Sequence, residues 1–587
     1  VKSVFALLRE RAEEKTLEEY AELAGVSVDD IVELADELTS HGKKAAAEFY
    51  RGPVQHTNGY YTAQALITLN LLIGNVDHKG GLMVGGGHWH EEGDKAGPYN
   101  LKKLHSGKLT KFGVPINREG KKYDKSTLFE RDGGFPAQRP WYPLTSNVFQ
   151  EVIPAAGAAY PYPIKALWVH MGTPAFSSPA GHAQIEILKD ITKIPLFIYC
   201  DIVVGETSMY ADYIIPDITY MERWATPHTS PDVPTKISKF RQPTVAPLTE
   251  EVDVDGETMP ICLEAAFIAI AKKLGLSGFG AGGFSEGGDF NRPEDWYLKM
   301  AANLAFGDKE DGSQQLPAAS AEEVEVFRNA RAHLPPSVFD EEKWKAAVGD
   351  EMWPSVVYFL NRGGRFEAPE KAYKDDMVGH AIKAEWHLFV EKAAKIKDSI
   401  TGEKWDGLPR VEPIRHSTGT EYTGDGYDFT LITYKEIFGG HSRTISNYWS
   451  NIALQNEGEN FILVNKDYAE SLGIKDGNKV KIVSETNTDG VWPVGNGHDR
   501  EMTGKVKCIQ GMRPGVAAVS WHFGHWAYGS SDVEIDGETI KGDDRRSKGI
   551  CPNAAMILDE GTKTTCLTDP IGGSASFYDT KVNLVKV

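Results

Sequence analysis

The sequence predicts an α/β protein in which a parallel strand–helix–strand unit precedes a compact all-β domain. From Ala166 an apolar strand, ALWVHMG, is followed by a helix-like segment, AGHAQIEILKDI, and a second apolar strand, PLFIYCD. This order is typical of a parallel α/β unit. After Gly424 the apolar runs become short and are separated by Gly, Asn and Asp at turn spacing, which indicates an all-β domain.

Three regions follow from these patterns. We expect residues 1–160 to form helical segments and long loops, and residues 161–424 to form an α/β nucleotide-binding domain with helical insertions. The third region, 425–587, is the β domain. Near the start, Ser27 or Asp29 is a candidate N-cap for the helix IVELADEL. A third strand-like segment, ADYIIPD, and the helix CLEAAFIAIAKKLGL continue the α/β region.

The composition excludes several classes of protein. The chain has 587 residues with 41% hydrophobic and 25% charged residues, which is a globular balance. A formal net charge of -20 argues against a nucleic-acid partner, because binding phosphates requires clustered Lys and Arg. No apolar run reaches the roughly 18 to 20 residues that span a bilayer, so we expect no direct membrane span. The five cysteines contain no CxxC pair, so they predict neither a disulfide framework nor an iron–sulfur site.

Polar residues follow the strands of the α/β unit where ligands of open parallel sheets bind. The turn after the first strand contains Gly172, Thr173 and Pro174, and such a turn suits a pyrophosphate group. The second strand ends on Asp201, whose carboxylate can accept hydrogen bonds from a ribose or a guanine. At the mouth of the next strand lie Glu206, Thr207 and Ser208. Two other interpretations remain open, since acids are common at strand ends and a Thr–Ser pair often caps a helix.

The segment FILVNKDYAESLGIKDGNKVKIVSE resembles the C-terminal dinucleotide-binding domain of the molybdopterin oxidoreductases, the dimethyl sulfoxide reductase family. Upstream, LNLLIGNVDHKGGL, LWVHMGTPAFSSP and IYCDIVVGETSMYADYIIPD match the same family in the same order. Downstream, PGVAAVSWHFGHWAYG, CPNAAMILD and TDPIGGSASFYDTKVNLVKV look like its last cofactor loops and closing strand. The resemblance covers most of the chain and is weak in 88–160 and 280–425.

The resemblance implies a six-stranded, double-psi β-barrel-like C-terminal domain and a cofactor of two molybdopterin guanine dinucleotides with molybdenum or tungsten. It implies that the cofactor is bound by Gly172, Thr173, Pro174, Asp201, Glu206, Thr207, Ser208, His441, Arg443, Thr444, Trp521, His522 and Asn553. Structural roles without cofactor binding are the alternatives: Arg443 as a solvent-exposed loop arginine, and Asn553 as a residue that forms a turn. For WHFGHWAYG the alternative is a half-buried aromatic turn, and a zinc site is disfavoured because no third ligand stands at metal-ligand spacing.

One part of the family pattern is absent from this sequence. Nothing matches the cysteine motif of the family's 4Fe-4S cluster or the Cys, selenocysteine or Ser that binds molybdenum. We therefore assign no catalytic or metal-ligating residue in this chain, and expect both on a missing N-terminal half or a companion chain. The resemblance further implies an iron–sulfur electron-transfer subunit, a subunit that anchors the complex to the membrane, and an extracytoplasmic location on the periplasmic side.

The segments SWHFGHWAYG, HSRT and CPNAAMIL look most like tetrathionate reductases and their neighbours that act on arsenate, selenate, polysulfide or thiosulfate. The expected function is therefore that of the C-terminal part of a catalytic subunit that reduces a sulfur compound such as tetrathionate in anaerobic respiration. An arsenate or selenate reductase of the same family is the first alternative. A non-catalytic nucleotide-binding or assembly protein is the alternative of another class.

Overall fold

The computed structural model describes residues 2–94, 97–101, 113–227, 233–284, 288–308, 312–440, 444–445, 447–455, 458–495, 498–521 and 523–587. The helices are α1 Val4–Ala12, α2 Leu17–Ala24, α3 Val28–Ser40, α4 Gly59–Ile73, α5 Leu128–Arg131, α6 Val152–Gly157, α7 Pro174–Ser177, α8 His182–Leu188, α9 Leu263–Lys273, α10 Pro293–Phe306, α11 Ala321–Asn329, α12 Glu341–Asn361, α13 Glu391–Ala394, α14 Tyr448–Leu454 and α15 Lys466–Ser471. Among the helices of these residues, none combines the length and the apolar composition that a membrane span requires.

The strands fall into one parallel sheet, one barrel and several short hairpins. They are β1 Leu167–His170, β2 Phe197–Asp201, β3 Tyr213–Pro216, β4 Ile237–Lys239, β5 Glu251–Val254, β6 Glu257–Pro260, β7 Gly364–Phe366, β8 Tyr373–Lys374, β9 Met377–Val378, β10 Phe429–Tyr434, β11 Phe461–Asn465, β12 Lys479–Val483, β13 Val491–Gly495, β14 His498–Glu501, β15 Thr503–Ile509, β16 Val516–Ser520, β17 Val533–Ile535, β18 Glu538–Ile540 and β19 Lys581–Lys586.

The predicted α/β unit is present as a three-stranded parallel sheet in the order β1–β2–β3. Leu167 pairs with Phe197, and Cys200 pairs with Ile215. Helices α7 and α8 form the connection between β1 and β2, which is the crossover that parallel strands require. The carboxyl ends of all three strands therefore lie at one edge of the sheet.

The C-terminal region forms a closed barrel in the strand order β10–β16–β11–β15–β12–β19. The pairs β10–β16 and β11–β15 are parallel, and the other pairs are antiparallel. Along β10 every second side chain is buried, as the alternation of a barrel wall requires. The predicted six-stranded barrel is confirmed, while the predicted boundaries at 160 and 424 stay predictions.

The parallel sheet and the barrel share one hydrophobic core. Buried side chains of the sheet layer, such as Ile185 and Phe197, belong to the same cluster as Leu431 and Val519 of the barrel. A second core lies among α10, α11 and α12, around the fully buried Trp344. The helical insertion therefore has its own core, while the sheet layer and the barrel are packed as one body.

A buried ionic network attaches the loops before the sheet to the C-terminal region. Glu151 receives hydrogen bonds from Arg118 and Arg139, and Arg139 also donates to Thr565 over 2.7 Å. Burial raises the pKa of the Glu151 carboxyl, but the two guanidinium groups more than offset this effect, so the pKa lies below its usual value. Glu151 therefore stays ionised and neutralises buried positive charge.

We expect Glu151→Ala to lower the free energy of unfolding by about 3–5 kcal/mol, because removing one partner leaves buried charge without compensation. Thermal unfolding followed by circular dichroism measures the loss. The exposed Glu130 on neighbouring α5 supplies the matched control, Glu130→Ala. Equal melting temperatures for the two variants would contradict a structural role for the network.

Candidate functional site

A cleft of about 450 Å³ lies where the turn between β1 and α7 meets loops of the C-terminal region. This volume is within the range of ligand pockets. Its wall contains hydroxyl, amide and aromatic side chains and one guanidinium group. The polar and aromatic lining includes Arg51, Gln55, Gln150, Thr173, Phe176, Ser177, Trp521, Asn553 and Ser574, with Gly572 and Gly573 beside them. Of the residues predicted from the sequence, the structure brings Thr173, Trp521 and Asn553 together here.

In the turn between β1 and α7, fewer backbone N–H groups are available to a ligand than the sequence predicted. The backbone N–H groups of Phe176 and Ser177 donate to the carbonyl of Thr173 over 2.9 and 2.8 Å, and the N–H of Ala175 donates to Thr207 Oγ1. These groups are therefore occupied within the protein. The Thr173 side chain lines the cleft. The space beside Gly172 is open, because a Cβ added there would lie 3.8 Å from its nearest neighbour, Pro174 Cδ.

Glu206 is fully buried and connects the sheet to the barrel. Its Oε1 accepts a hydrogen bond from His525 Nδ1 over 2.8 Å and another from the N–H of Ala527 over 3.2 Å. Burial raises the pKa of Glu206, but the neighbouring His525 and the backbone N–H groups outweigh this effect and lower the pKa. The imidazole of His525 also stacks on Phe176, with 4.6 Å between ring centroids.

The two residues after Glu206 are also engaged within the protein. Thr207 caps the start of α7 as described above, and Ser208 Oγ accepts a hydrogen bond from the N–H of Gly205 over 2.7 Å. Both side chains are fully buried. In this structure Glu206, Thr207 and Ser208 therefore position the wall of the cleft rather than line it.

The segment WHFGHWAYG is an aromatic turn held against the sheet. Gly524 has φ +76°, and a Cβ there would lie 2.5 Å from the backbone nitrogen of Cys551, so glycine is required. The N–H of Tyr528 donates to the carbonyl of Val204 over 2.9 Å. Trp521 lines the cleft, while His522 lies outside the described residues. The segment thus combines two of the interpretations of its sequence, a buried aromatic turn and a wall of a cleft.

The remaining predicted residues occupy separate positions. Asp201 ends β2, is 4% exposed and accepts a hydrogen bond from the N–H of Ile202 over 2.8 Å. Asn553 donates to the carbonyl of Phe176 over 3.0 Å from the wall of the cleft. Thr444 accepts a hydrogen bond from the N–H of Gly440, and His441 and Arg443 lie outside the described residues.

Sequence reasoning missed several residues of the cleft. Arg51 has no carboxylate partner in the described part of the chain; its Nε donates to Tyr50 Oη over 3.2 Å, and its guanidinium lies 5.3 Å from the Tyr50 ring centroid. Gln55 Oε1 is buried and has no hydrogen-bond partner there. No motif marks either residue. Gly572 and Gly573 belong to the sequence IGGS in a segment that resembles the family, so this signal could have identified them. At Gly573 a Cβ would lie 2.7 Å from the side chain of Thr145.

A second polar cluster lies at the carboxyl edge of the sheet. The possible ligand atoms of His170, Cys200 and Asp217 lie within 4.8 Å of one another. Arg223 donates to the same Asp217 oxygen that contacts His170 Nε2, at 3.0 and 2.8 Å. Burial, followed by the charge of Asp217, raises the pKa of Cys200 to about 12, so the thiol stays protonated. A guanidinium and a neutral thiol fit a hydrogen-bonded cluster better than a metal centre.

Comparisons with known families match both halves of this arrangement. Residues 17–245 match the sequence model described as "Molybdopterin oxidoreductase", and residues 429–566 match the "Molydopterin dinucleotide binding domain". Among solved structures, acetylene hydratase from Pelobacter acetylenicus superimposes with a TM-score of 0.52 at 14% identity. That match covers 99% of this chain and 66% of the other, and it supports the fold alone.

Curated relatives are named as subunits of reductases. One selenate reductase subunit, from Mesobacillus selenatarsenatis, is 48% identical over 100% of this chain and 55% of its own length. One tetrathionate reductase subunit, from Salmonella typhimurium, is 32% identical over 98% of this chain and 54% of its own length. A tetrathionate reductase subunit from Archaeoglobus fulgidus is 31% identical over 90% of this chain and 47% of its own length. The chain therefore spans about half the length of the curated relatives it matches.

We expect Glu206→Gln to loosen the aromatic turn from the sheet, because a neutral amide replaces the buried carboxylate that pairs with His525. Hydrogen exchange of residues 523–529 should accelerate, and the fluorescence of the buried Trp526 should shift to longer wavelength. In the wild type, acid should have the same effect. The pKa of Glu206 is lower in the folded protein than its ordinary value of 4.5 in the unfolded chain. The stability that the ionised carboxylate contributes is therefore fully present above pH 4.5 and is lost as the pH falls through the pKa of the folded state.

The control is Glu186→Gln, since the Glu186 side chain on α8 is 69% exposed. If Glu206→Gln and Glu186→Gln leave exchange in 523–529 equally unchanged, the buried pair does not hold the turn.

Proposed function

The chain belongs to the molybdopterin oxidoreductase family, and from that premise we propose that it is the C-terminal portion of the catalytic subunit of a reductase. The cofactor would be two molybdopterin guanine dinucleotides with molybdenum or tungsten. The observation that carries the proposal is the cleft at the turn between β1 and α7, because both family-matched regions contribute to its wall. When bound, the cofactor supplies the redox chemistry, and the protein supplies binding and orientation.

The lining of the cleft fits such a cofactor in charge and in hydrogen-bonding capacity. Arg51 would pair with phosphate oxygens through charge-assisted hydrogen bonds. The buried Gln55 Oε1 is an acceptor without a donor in the described structure, and a pterin N–H group would supply one. Thr173 and Asn553 add a hydroxyl and an amide, both able to donate and to accept.

The other residues predicted from the sequence are proposed either to contact the cofactor or to position the wall of the cleft. Asp201 is proposed to accept hydrogen bonds from a guanine or a ribose, and Trp521 to pack against the pterin. Glu206, Thr207 and Ser208 would act as positioning residues, since each holds a loop of the cleft wall. On the strength of the family resemblance, the proposed cofactor contacts also include Gly172, Pro174, His441, Arg443, Thr444 and His522.

We propose selenate as the first substrate to test. The relative with 48% identity over the whole chain is named a selenate reductase, whereas the tetrathionate reductases, which the loop sequences favoured, are 32% and 31% identical. Tetrathionate is therefore the second candidate. Reduction of selenate takes two electrons and two protons and releases selenite and water.

The proposed reductase needs components beyond this chain. A further portion of the catalytic subunit, continuous or separate, would carry the metal-ligating residue and a 4Fe-4S cluster. An iron–sulfur subunit would deliver electrons, and a membrane anchor subunit would hold the complex on the periplasmic side.

We expect natively purified protein to oxidise reduced methyl viologen when selenate is added, and to do so faster than with tetrathionate or arsenate. Initial rates over a concentration series of each acceptor would rank the three by kcat/KM. Preference for tetrathionate would move the protein to the second candidate. Absence of turnover with every acceptor, in protein that contains the metal, would contradict a reductase of this group.

Arg51→Met should lower the amount of pterin cofactor retained through purification, because the phosphate would lose a charge-assisted bond worth about 1.5–3 kcal/mol. The readout is the guanine nucleotide released by acid per mole of chain. Arg9→Met is the control, since Arg9 on α1 is exposed and is not among the residues that line the cleft. Equal nucleotide content in the two variants would remove Arg51 from the site.

A further inference from the structure

Helix α4 begins without a cap from its own N-cap residue. The side chain of Asn58 makes no capping hydrogen bond and donates instead to a backbone carbonyl over 3.1 Å. The N–H of Tyr60, in the first turn, donates to Asp569 Oδ2 over 2.5 Å. Just before the helix, the N–H of Thr57 donates to Asp579 Oδ2 over 2.8 Å. Carboxylates are stabilising at this end of a helix, so two aspartates that lie 509 and 522 residues away along the chain hold its start.

The same two carboxylates hold the loop that runs between them, and this loop supplies part of the lining of the cleft. Asp569 Oδ1 accepts hydrogen bonds from the N–H groups of Ile571 and Gly572 over 2.8 and 3.0 Å. Asp579 Oδ2 accepts another from Ser576 Oγ over 2.7 Å. Both aspartate side chains are fully buried. Each of them therefore connects the start of α4 to the loop between the two aspartates.

The segment just before α4 reaches the cleft through Arg51 and Gln55. This segment is folded tightly against the start of the helix. The N–H of Gln55 donates to the carbonyl of Arg51 over 3.1 Å. A Cβ at Gly59 would lie 2.1 Å from the carbonyl oxygen of Val54, so only glycine permits this approach. The carbonyl of Gln55 accepts a hydrogen bond from the N–H of Phe577 over 3.0 Å. The position of Gln55 is therefore set by the start of α4 and by the loop between the two aspartates.

The carboxylate of Asp569 holds backbone and does not pair with a charged side chain. Its three hydrogen bonds come from backbone N–H groups, and no lysine or arginine of the described residues forms an ion pair with it. Burial raises the pKa of its carboxyl to about 6, although the three N–H groups act in the opposite direction. Above that pH the carboxylate is ionised and can accept from all three donors. An amide here could not accept from both sides, because one of its two polar atoms would be an NH2 group.

We propose that Asp569 and Asp579 are positioning residues of the cofactor site. Together they fix the distance between the segment that carries Arg51 and Gln55 and the loop between the two aspartates, and this distance determines how firmly the pterin dinucleotide is retained. Neither aspartate is among the residues that line the cleft, so each acts through the residues it holds. A wall that is already ordered costs less to order when the ligand binds, and its loss therefore weakens retention. This inference rests on the proposed function.

The test compares Asp569→Asn with Asp559→Asn in natively purified protein. Asp559 is the matched control, because it is also buried and accepts hydrogen bonds from backbone N–H groups, those of Ser417 and Thr562, but holds no residue that lines the cleft. Both variants should lose similar thermal stability. Guanine nucleotide per mole of chain should fall at least about fivefold in Asp569→Asn alone. The amides of residues 571–573 should exchange about tenfold or more faster in that variant alone.

Asp579→Asn is the second variant and takes the place of Asp569→Asn if the latter does not fold; the same loss of nucleotide is expected of it. Equal nucleotide content in this variant and in Asp559→Asn would overturn the proposal, because the aspartates would then only stabilise the fold. Loss of nucleotide without faster exchange in the loop would also overturn it. A wild type without guanine nucleotide would contradict the proposed function, whereas a wild type that contains it, with equal retention in the variants, would contradict this inference alone.

Discussion

The buried pair of Glu206 and His525 is the interaction on which the arrangement of the cleft depends. It joins residues 319 apart in the chain, one at the mouth of the parallel sheet and one in the turn after β16. A carboxylate enclosed in an apolar core is tolerated only when it is paired and hydrogen-bonded, so the two loops must meet in one geometry. Stacking of His525 on Phe176 extends this constraint to α7, whose side chains line the cleft.

Features that are set by neighbouring residues in the sequence could be predicted, whereas features that are set by contacts between distant residues could not. The strands β1 to β3 and five of the six barrel strands were predictable, because their apolar patterns and turn residues are local signals. The closing strand β19 and the closure of the barrel were implied by the family resemblance. Ser27 was predictable as an N-cap for the same reason. The inward orientation of Glu206 was not, because its partner His525 is specified by the packing of sheet against barrel. Arg51 and Gln55 were missed since neither belongs to a motif and both reach the cleft only through the fold.

The fold brings distant parts of the chain together in the wall of the proposed cofactor site. The cleft is built from the turn after β1, the segment near Arg51 and loops of the C-terminal region, and all of its lining except residues 572–577 lies within the family-matched ranges.

If the cleft holds a pterin guanine dinucleotide, natively purified protein must contain molybdenum or tungsten together with guanine nucleotide, and both can be measured. Elemental mass spectrometry and chromatography of the acid-released nucleotide give both quantities per mole of chain. We expect about one metal atom and about two guanine nucleotides per chain, in keeping with a cofactor that supplies the redox chemistry. Native protein with neither metal nor guanine nucleotide would contradict it and favour a non-catalytic binding or assembly protein.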